Sequence, residues 1–228
     1  MPVIVWFHGG GNFAGAGDAY DVSALTRAGN VIVVTLNYRL GVLGWLAHPG
    51  LDAEGHPFAN YGLLDQQMAL TWVRDNIAAF GGNPENVTIG GQSAGSFDVQ
   101  AHMVSPLARG LFHGAILQSG VEEAAPLADA EALGVNFSEE LGCGNNAQSV
   151  DCLRSIPASR ILAVQGAEGK YPTNDGVVAD GQIVPAVGLK AAFESGNFAN
   201  VPVLSSTTQD EWNSLPGFNS MLPAGPRR

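Results

Sequence analysis

The sequence predicts an α/β fold with a mostly parallel sheet that is covered by helices on both faces. Short, continuous apolar runs recur along the chain, and amphipathic helical patterns lie between them. Such alternation favours an open parallel sheet with right-handed crossovers. Apolar residues make up 46% of the chain and charged residues only 14%, so a sizeable core can be buried. The predicted strands are 2–7, 31–36, 87–91, 114–118 and 201–206.

The clearest helical pattern lies at 62–80, where apolar residues recur at spacings of three and four. Gly81 and Gly82 follow it and end the predicted helix. The stripe predicted to face the core consists of Leu64, Met68, Trp72, Val73, Ile77 and Phe80. The predicted polar side carries Asp65, Arg74 and Asp75. Further helices are predicted at 95–104, 127–141, 158–165 and 186–195.

We predict a single, partial domain over residues 1–228. The segment from Pro216 to Arg228 is rich in Pro, Gly and Asn and has no apolar periodicity, so we expect a loose C-terminal end. Met1 leads directly into the first predicted core strand. A domain rarely begins inside its core, so we expect that the chain starts at an internal position of a longer protein.

Charge and composition exclude several classes of partner. The net charge is −11, with 10 basic against 21 acidic residues, and no basic run is present. This pattern argues against binding to nucleic acid or to anionic membrane surfaces. No apolar run is long enough for a membrane span. Two cysteines and five scattered histidines supply no ligand cluster, so we expect no metal site and no cofactor.

The pentapeptide Gly91-Gln92-Ser93-Ala94-Gly95 fits the G-x-S-x-G pattern of a nucleophile elbow. In such an elbow a strand turns sharply into a helix, and side chains two residues before and after the serine would collide. The pattern alone also fits a purely structural turn. Its position between a predicted strand and a predicted helix favours Ser93 as a nucleophile.

A second motif, His8-Gly9-Gly10-Gly11, follows the first predicted strand, as an oxyanion loop does. Glycines let the backbone approach a reacting carbonyl and leave N–H groups free to donate. We predict the N–H groups of Gly10, Gly11 and Ala94 as oxyanion donors. His8 could act as a base, but in this motif a histidine more often shapes the loop, which is the interpretation we favour.

With both motifs in place, the chain resembles the type B carboxylesterase family, which includes cholinesterases and bacterial para-nitrobenzyl esterases. The resemblance implies the α/β-hydrolase fold, and it covers roughly residues 2–213. The stretches that carry it are PVIVWFHGGGNFAGAG, VIVVTLNYRLGVLGWL, NYGLLDQQMALTWVRDNIAAFGGNPENVTIGGQSAG, SPLARGLFHGAILQSG, CLRSIP and VPVLSSTTQDEW.

The resemblance also implies roles for individual residues. Ser93 corresponds to the nucleophile that forms an acyl-enzyme with a small-molecule carboxylic ester. Glu211 corresponds to the acid of the catalytic triad, with the neighbouring Asp210 as an alternative. Ser119 resembles a serine that helps to hold this acid. Gln92 stands where cholinesterases carry a glutamate, which weakens the case for cationic choline esters.

The resemblance further implies a disulfide between Cys143 and Cys152. From the residues alone, two cysteines nine positions apart could equally be unpaired thiols. A bridge would agree with a secreted or periplasmic location of the longer protein.

The chain departs from the family pattern at the catalytic base. The family order is serine, acid, histidine, yet no histidine follows Glu211. The five histidines all precede it: His8, His48, His56, His102 and His113. We therefore expect a fragment of a longer esterase, cut at both ends and inactive by itself. A smaller departure is Asn12, which replaces an aromatic residue that often follows the three glycines.

Two alternative functions remain open. The family also contains adhesion proteins that keep the fold and bind partners without catalysis. Such proteins usually lose the serine or glycine motifs, and both motifs are intact here. The other alternative is a truncated gene product without function.

Overall fold

The computed structural model describes residues 1–55, 59–120, 123–166, 176–209 and 211. Within these residues the strands are β1 (Val3–Phe7), β2 (Ile32–Thr35), β3 (Val87–Gln92), β4 (Gly114–Gln118), β5 (Ala125–Pro126), β6 (Val178–Ala179) and β7 (Val203–Ser206). The helices are α1 (Ser23–Gly29), α2 (Val42–Trp45), α3 (Pro49–Asp52), α4 (Tyr61–Asn76), α5 (Ala94–Val104), α6 (Leu127–Glu140), α7 (Ser149–Ser155), α8 (Ala158–Gln165) and α9 (Gly188–Glu194).

The main sheet has five strands in the order β2-β1-β3-β4-β7. All its pairings are parallel, and Val5 of β1 lies opposite Val34 of β2 and Ile89 of β3. Because parallel strands need crossover connections, helices separate them along the chain. The predicted mostly parallel sheet and its five strands are confirmed. Strands β5 and β6 form a separate parallel pair.

The largest core cluster lies between the sheet, α4 and α5. Strand β1 contributes Val3, Val5 and Phe7, whose exposed fractions are all 0%. Alternate side chains of this strand point to the same face, which explains why it buries every second residue most deeply. Further members of the cluster are Leu70, Val73, Ile77, Val87, Ile89, Val99, Met103, Ala108, Leu111, Phe112, Ala115 and Leu117.

The helix predicted at 62–80 forms as α4 and a following 3-10 turn, but the predicted core stripe is wrong in part. Val73 and Ile77 are buried, whereas Met68 is 73% exposed, Trp72 47% and Phe80 62%. Apolar residues occur all around this helix, so spacing alone did not select one face. The buried face also contains Leu63, Gln66, Gln67 and Leu70.

Other differences from the sequence prediction concern short or peripheral elements. Strand β7 was expected to be buried, yet Val203 is 49% and Leu204 62% exposed, because this strand lies at an edge of the sheet with β4 as its neighbour. The short helices α1, α2, α3 and α7 have four to seven residues and were not predicted. Two helical turns or fewer leave too short an apolar period to recognise.

The predicted disulfide between Cys143 and Cys152 is confirmed. It links the turn after α6 to α7, and the two Cα atoms lie 5.5 Å apart. Ser149 stabilises the same loop, since its hydroxyl accepts from the Asn146 N–H at 2.8 Å. Closing so short a loop stabilises the folded chain by at most about 3 kcal/mol on the chain-entropy estimate.

The loose end predicted from Pro216 to Arg228 lies outside the described residues, and the assignment of residues 1–228 to one domain stays a prediction. Across the described ranges, no helix combines the length and apolar character that a bilayer crossing requires. In the same part of the chain, the His, Cys, Asp and Glu residues form no group of three or more suited to a metal ion.

Candidate active site

Ser93 occupies the sharp turn between β3 and α5. Its backbone angles are φ 54° and ψ −124°, a region that non-glycine residues rarely adopt. A Cβ atom on Gly91 would lie 2.2 Å from the Gly95 carbonyl oxygen, and one on Gly95 would lie 2.2 Å from the Phe7 carbonyl oxygen. The collision predicted for side chains at these two positions is therefore confirmed. The half-buried Ser93 is held by its N–H, which donates to Gln118 at 2.9 Å.

The glycine loop after β1 packs directly on this turn, because β1 and β3 are neighbours in the sheet. A Cβ atom on Gly9 would lie 2.7 Å from the Gln92 carbonyl oxygen and 3.2 Å from the Ser93 Cβ atom. Gly10 and Gly11 have φ values of 117° and 61°, which favour glycine. The two motifs that the sequence singled out are therefore adjacent in space.

The backbone donors predicted for an oxyanion are available in this arrangement. Among the described residues, no protein acceptor takes a hydrogen bond from the N–H groups of Gly10, Gly11 or Ala94. Ala94 is the first residue of α5, an eleven-residue helix whose N-terminal end carries the positive end of the helix dipole. This geometry suits a negatively charged oxygen near Ser93.

Glu211 lies beyond the carboxyl end of β7, and the end of the neighbouring β4 helps to hold it. The hydroxyl of Ser119 and the N–H of Thr208 donate to its carboxylate, and together they lower the pKa of Glu211 below its ordinary value. The Thr208 contact is 2.8 Å long. The residue before Ser119, Gln118, accepts the Ser93 N–H, so the end of β4 contacts both candidate residues. The alternative acid Asp210 lies outside the described residues.

The contact between Ser119 and Glu211 can be tested directly. In Ser119→Ala, the carboxylate loses the hydrogen bond that lowers its pKa most, so we expect the pKa of Glu211 to rise towards its ordinary value. Carboxyl-carbon NMR titration of the glutamates measures this shift. Ser205→Ala, at an exposed position of β7, is the control and is expected to leave the Glu211 titration unchanged. An unchanged titration in Ser119→Ala contradicts the assigned contact.

The described histidines are all engaged away from Ser93. His8 Nδ1 lies 2.9 Å from the Gly9 carbonyl oxygen, and its ring stacks on Tyr38 at 4.4 Å between centroids. His102 is fully buried, which lowers its pKa to about 3, and its Nε2 lies 2.7 Å from Gln66 Oε1. The other two use Nδ1 to accept backbone N–H groups, in His48 from Gly50 and in His113 from Val87.

His56 lies outside the described residues. The histidine geometry agrees with the interpretation of His8 as a residue that shapes the loop. Each described histidine has a local partner, and none of those partners is the Ser93 hydroxyl.

The polar residues that hold the glycine loop were not predicted from the sequence. The Tyr38 hydroxyl donates to the His8 carbonyl at 2.6 Å, and the Gly9 N–H donates to the Tyr20 hydroxyl at 3.3 Å. Asp98 accepts from Asn12, the residue after the three glycines. One signal was present in the sequence. The predicted helix 95–104 contains no Glu, Lys or Arg and one Asp, Asp98, and a carboxyl group on a buried helix needs hydrogen-bond partners.

The sequence model of the carboxylesterase family matches residues 1–219. The chain belongs to this family. Among its relatives, acylcarnitine hydrolase of Mus musculus is 39% identical over 95% of this chain, and para-nitrobenzyl esterase of Bacillus subtilis (strain 168) is 40% identical over 92%. Neuroligin-2 of Homo sapiens is 39% identical over 92%. The chain covers 38%, 44% and 25% of these three proteins, respectively.

The same family relationship is visible in three dimensions. A solved structure of PNB esterase matches 99% of this chain and 48% of its own chain, with a TM-score of 0.83 and 37% sequence identity. The predicted α/β-hydrolase fold is therefore confirmed. The chain spans less than half the length of this neighbour and of each relative named above.

Proposed function

We propose that this chain carries the nucleophile, the oxyanion loop and the acid of a serine esterase. The observation that carries the proposal is the Ser93 turn, with its strained backbone and with the glycine loop packed against it. Strain of this kind persists where the surrounding structure enforces it, and it places the serine hydroxyl at the tip of the turn. The family supports ester hydrolysis as the general chemistry.

In the proposed reaction, the Ser93 hydroxyl oxygen attacks the carbonyl carbon of a carboxylic ester while a base removes its proton. The N–H groups of Gly10, Gly11 and Ala94 stabilise the negative oxygen of the tetrahedral intermediate. The same proton then passes to the departing alcohol, leaving an acyl group on Ser93. Water, deprotonated by the base, releases the acid in the second half of the reaction.

The base in this reaction is a histidine supplied from outside these 228 residues. In the order of the fold the histidine follows the acid, and no histidine follows Glu211 in this sequence. An ionised Glu211 would orient that histidine and stabilise its positive charge, as the third member of the triad does. The contacts that lower the pKa of Glu211 also hold its carboxylate in place, which supports this role.

The substrate class is a small-molecule carboxylic ester. Several relatives carry names of ester-cleaving enzymes, among them para-nitrobenzyl esterase and pyrethroid hydrolase. Gln92, next to the nucleophile, is uncharged, so it offers no attraction to a cationic choline group. An uncharged ester is therefore the substrate that we favour.

A second candidate is partner binding without catalysis. The observation that favours it is the lack of a base among the described histidines near Ser93. Under this alternative the elbow and glycine loop would be structural, and Ser93 would not react with esters.

Hydrolysis of para-nitrophenyl butyrate, with and without added imidazole, tests the proposal. Loss of the histidine of such a triad costs about a millionfold in turnover, so we expect no measurable hydrolysis by the chain alone. Imidazole can enter the space of the missing side chain and accept the Ser93 proton, so a chain-dependent rate should appear above the imidazole blank. If Ser93 hydrolyses the ester without imidazole, the proposal that the chain lacks its base is wrong. If the chain adds nothing to the blank rate at any imidazole concentration, the proposed catalysis is wrong.

A further inference from the structure

We propose that Asp98 is a positioning residue that holds the oxyanion loop through Asn12. This inference rests on the proposed function, since it concerns the same N–H donors. Asp98 lies on α5, five residues after Ser93, and its exposed fraction is 0%. The helix that begins at the nucleophile would therefore also fix the loop that stabilises the oxyanion.

The two carboxylate oxygens of Asp98 each accept a hydrogen bond from a different element. Oδ1 accepts from Asn12 Nδ2 at 3.0 Å, and Oδ2 accepts from Gln66 Nε2 at 2.6 Å. A buried polar group that loses its hydrogen-bond partner destabilises the fold, so both contacts of this carboxyl group matter. Gln66 lies on α4, so this helix holds one carboxylate oxygen while the other oxygen faces the glycine loop.

The Gln66 side chain is itself held in one orientation. Because Gln66 uses its amide nitrogen on Asp98, its oxygen is the acceptor that faces His102 Nε2 at 2.7 Å. Burial keeps His102 neutral, so this ring carries its proton on Nε2 and donates it to Gln66. His102 also packs on Phe7 of β1, with 5.2 Å between the ring centroids. Donation therefore runs from His102 through Gln66 to Asp98, and Asn12 donates to the same carboxylate from the loop.

Asn12 is fixed by its backbone as well as by its side chain. Its φ of 54° lies in the left-handed region, where asparagine is better tolerated than most residues. Its carbonyl oxygen accepts the Gly41 N–H at 2.7 Å, and only 1% of the residue is exposed. The residue that replaces the usual aromatic side chain thus connects the loop to α5 and to the segment before α2.

The opposite end of the loop is held by the two tyrosines that contact His8 and Gly9. Between the ends, Gly10 and Gly11 have no side chains that could fix their conformation. The Gly10 carbonyl accepts from the N–H groups of Phe13 and Ala14 at 3.2 and 3.0 Å, so the direction of the loop N–H groups depends on this turn and on the two ends that hold it. We infer that the Asp98 contact restricts the Asn12 end, where the sequence departs from the family pattern.

Exchanging the two groups tests the contact. In N12D a second carboxyl group faces Asp98 in a buried site. We therefore expect amide hydrogen exchange in residues 13 and 14, whose N–H groups donate to the Gly10 carbonyl, to accelerate by about tenfold or more. In N12D/D98N the carboxylate and the amide have changed places, one donor again faces one acceptor, and exchange is expected to return to near the wild-type rate. The measurement is hydrogen exchange followed by mass spectrometry on the 228-residue chain.

Asn12→Ala is the second variant and covers the case that N12D does not fold. It removes the donor without adding charge, and we expect about tenfold faster exchange in residues 13 and 14. Asn60→Ala is the matched control, because Asn60 and Asp180 form another buried pair of the same chemistry. It is expected to loosen the segment around Val178 and to leave exchange in residues 13 and 14 unchanged.

Turnover with imidazole connects the loop to catalysis. We expect Asn12→Ala to lower kcat by about tenfold with little change in KM, because only the transition state uses the oxyanion donors. The contact is overturned if exchange in residues 13 and 14 is unchanged in both Asn12 variants, or if D98N does not rescue N12D. Faster exchange with unchanged kcat overturns the positioning role. If the wild-type chain shows no turnover with imidazole, the proposed function is overturned instead. The hydrogen-exchange result does not depend on turnover and still tests the contact between Asn12 and Asp98.

Discussion

Replacing Ser93 with alanine is expected to reduce imidazole-dependent ester hydrolysis to the rate of the blank. The proposed reaction passes through an acyl group on the Ser93 oxygen, and alanine has no atom that could carry it. Imidazole by itself cleaves activated esters slowly, so the relevant quantity is the rate added by the chain. Para-nitrophenyl butyrate at a fixed imidazole concentration supplies this measurement.

Two controls make the Ser93 result specific. Ser155→Ala removes another serine hydroxyl, at an exposed position of α7, and is expected to leave the rate unchanged. Circular dichroism of Ser93→Ala should match the wild-type spectrum, since alanine keeps the same Cβ atom. A folded Ser93→Ala chain that retains the full chain-dependent rate is incompatible with Ser93 as the nucleophile.

The Gly95→Ala substitution is expected to destabilise the fold strongly. The added Cβ atom would lie 2.2 Å from the Phe7 carbonyl oxygen and 2.9 Å from that of His8. Both contacts are backbone atoms, so no side chain can rotate away, and β1, β3 and α5 must separate. Overpacking of this kind costs about 3 kcal/mol, which corresponds to a fall of roughly 6–12 °C in the unfolding temperature.

Thermal unfolding of the variant, followed by circular dichroism, measures this effect. Gly29→Ala is the matched control, because a Cβ atom there would meet its nearest neighbour, a Val31 methyl, at an ordinary 3.5 Å. Gly29 is the last residue of α1, where alanine is expected to be neutral or slightly stabilising. An unfolding temperature of Gly95→Ala equal to that of wild type contradicts the close packing of α5 on β1.

Local signals in the sequence predicted most of the fold. The five strands of the main sheet are continuous apolar runs, and such runs are recognisable without knowledge of the tertiary structure. Burial was harder to predict, because it depends on which elements cover a surface. The α4 helix has apolar residues on several faces, and Met68 lies on an exposed one. The burial expected for β7 failed for the same reason, since edge position is a property of the whole sheet.

The candidate site likewise contains residues that could be predicted from local sequence and residues that could not. Ser93 and its flanking glycines could be predicted because their constraint lies within five consecutive residues. Glu211 could be identified only by resemblance, since an acid in a loop carries no signal of its own. The contact between Asn12 and Asp98 spans 86 positions, so neither residue indicates the other in a single sequence. Polar residues so far apart in the sequence become partners only when the folded chain brings them together.

Locating the acyl group tests the central claim most directly. The chain is incubated with para-nitrophenyl butyrate and imidazole, quenched in acid, digested and analysed by peptide mass spectrometry. We predict a butyryl group on Ser93, in the peptide that contains Gly91 to Gly95, and its disappearance in Ser93→Ala. Acylation only at lysines or at the N-terminus, with Ser93 unmodified, would contradict the assignment of Ser93 as the nucleophile.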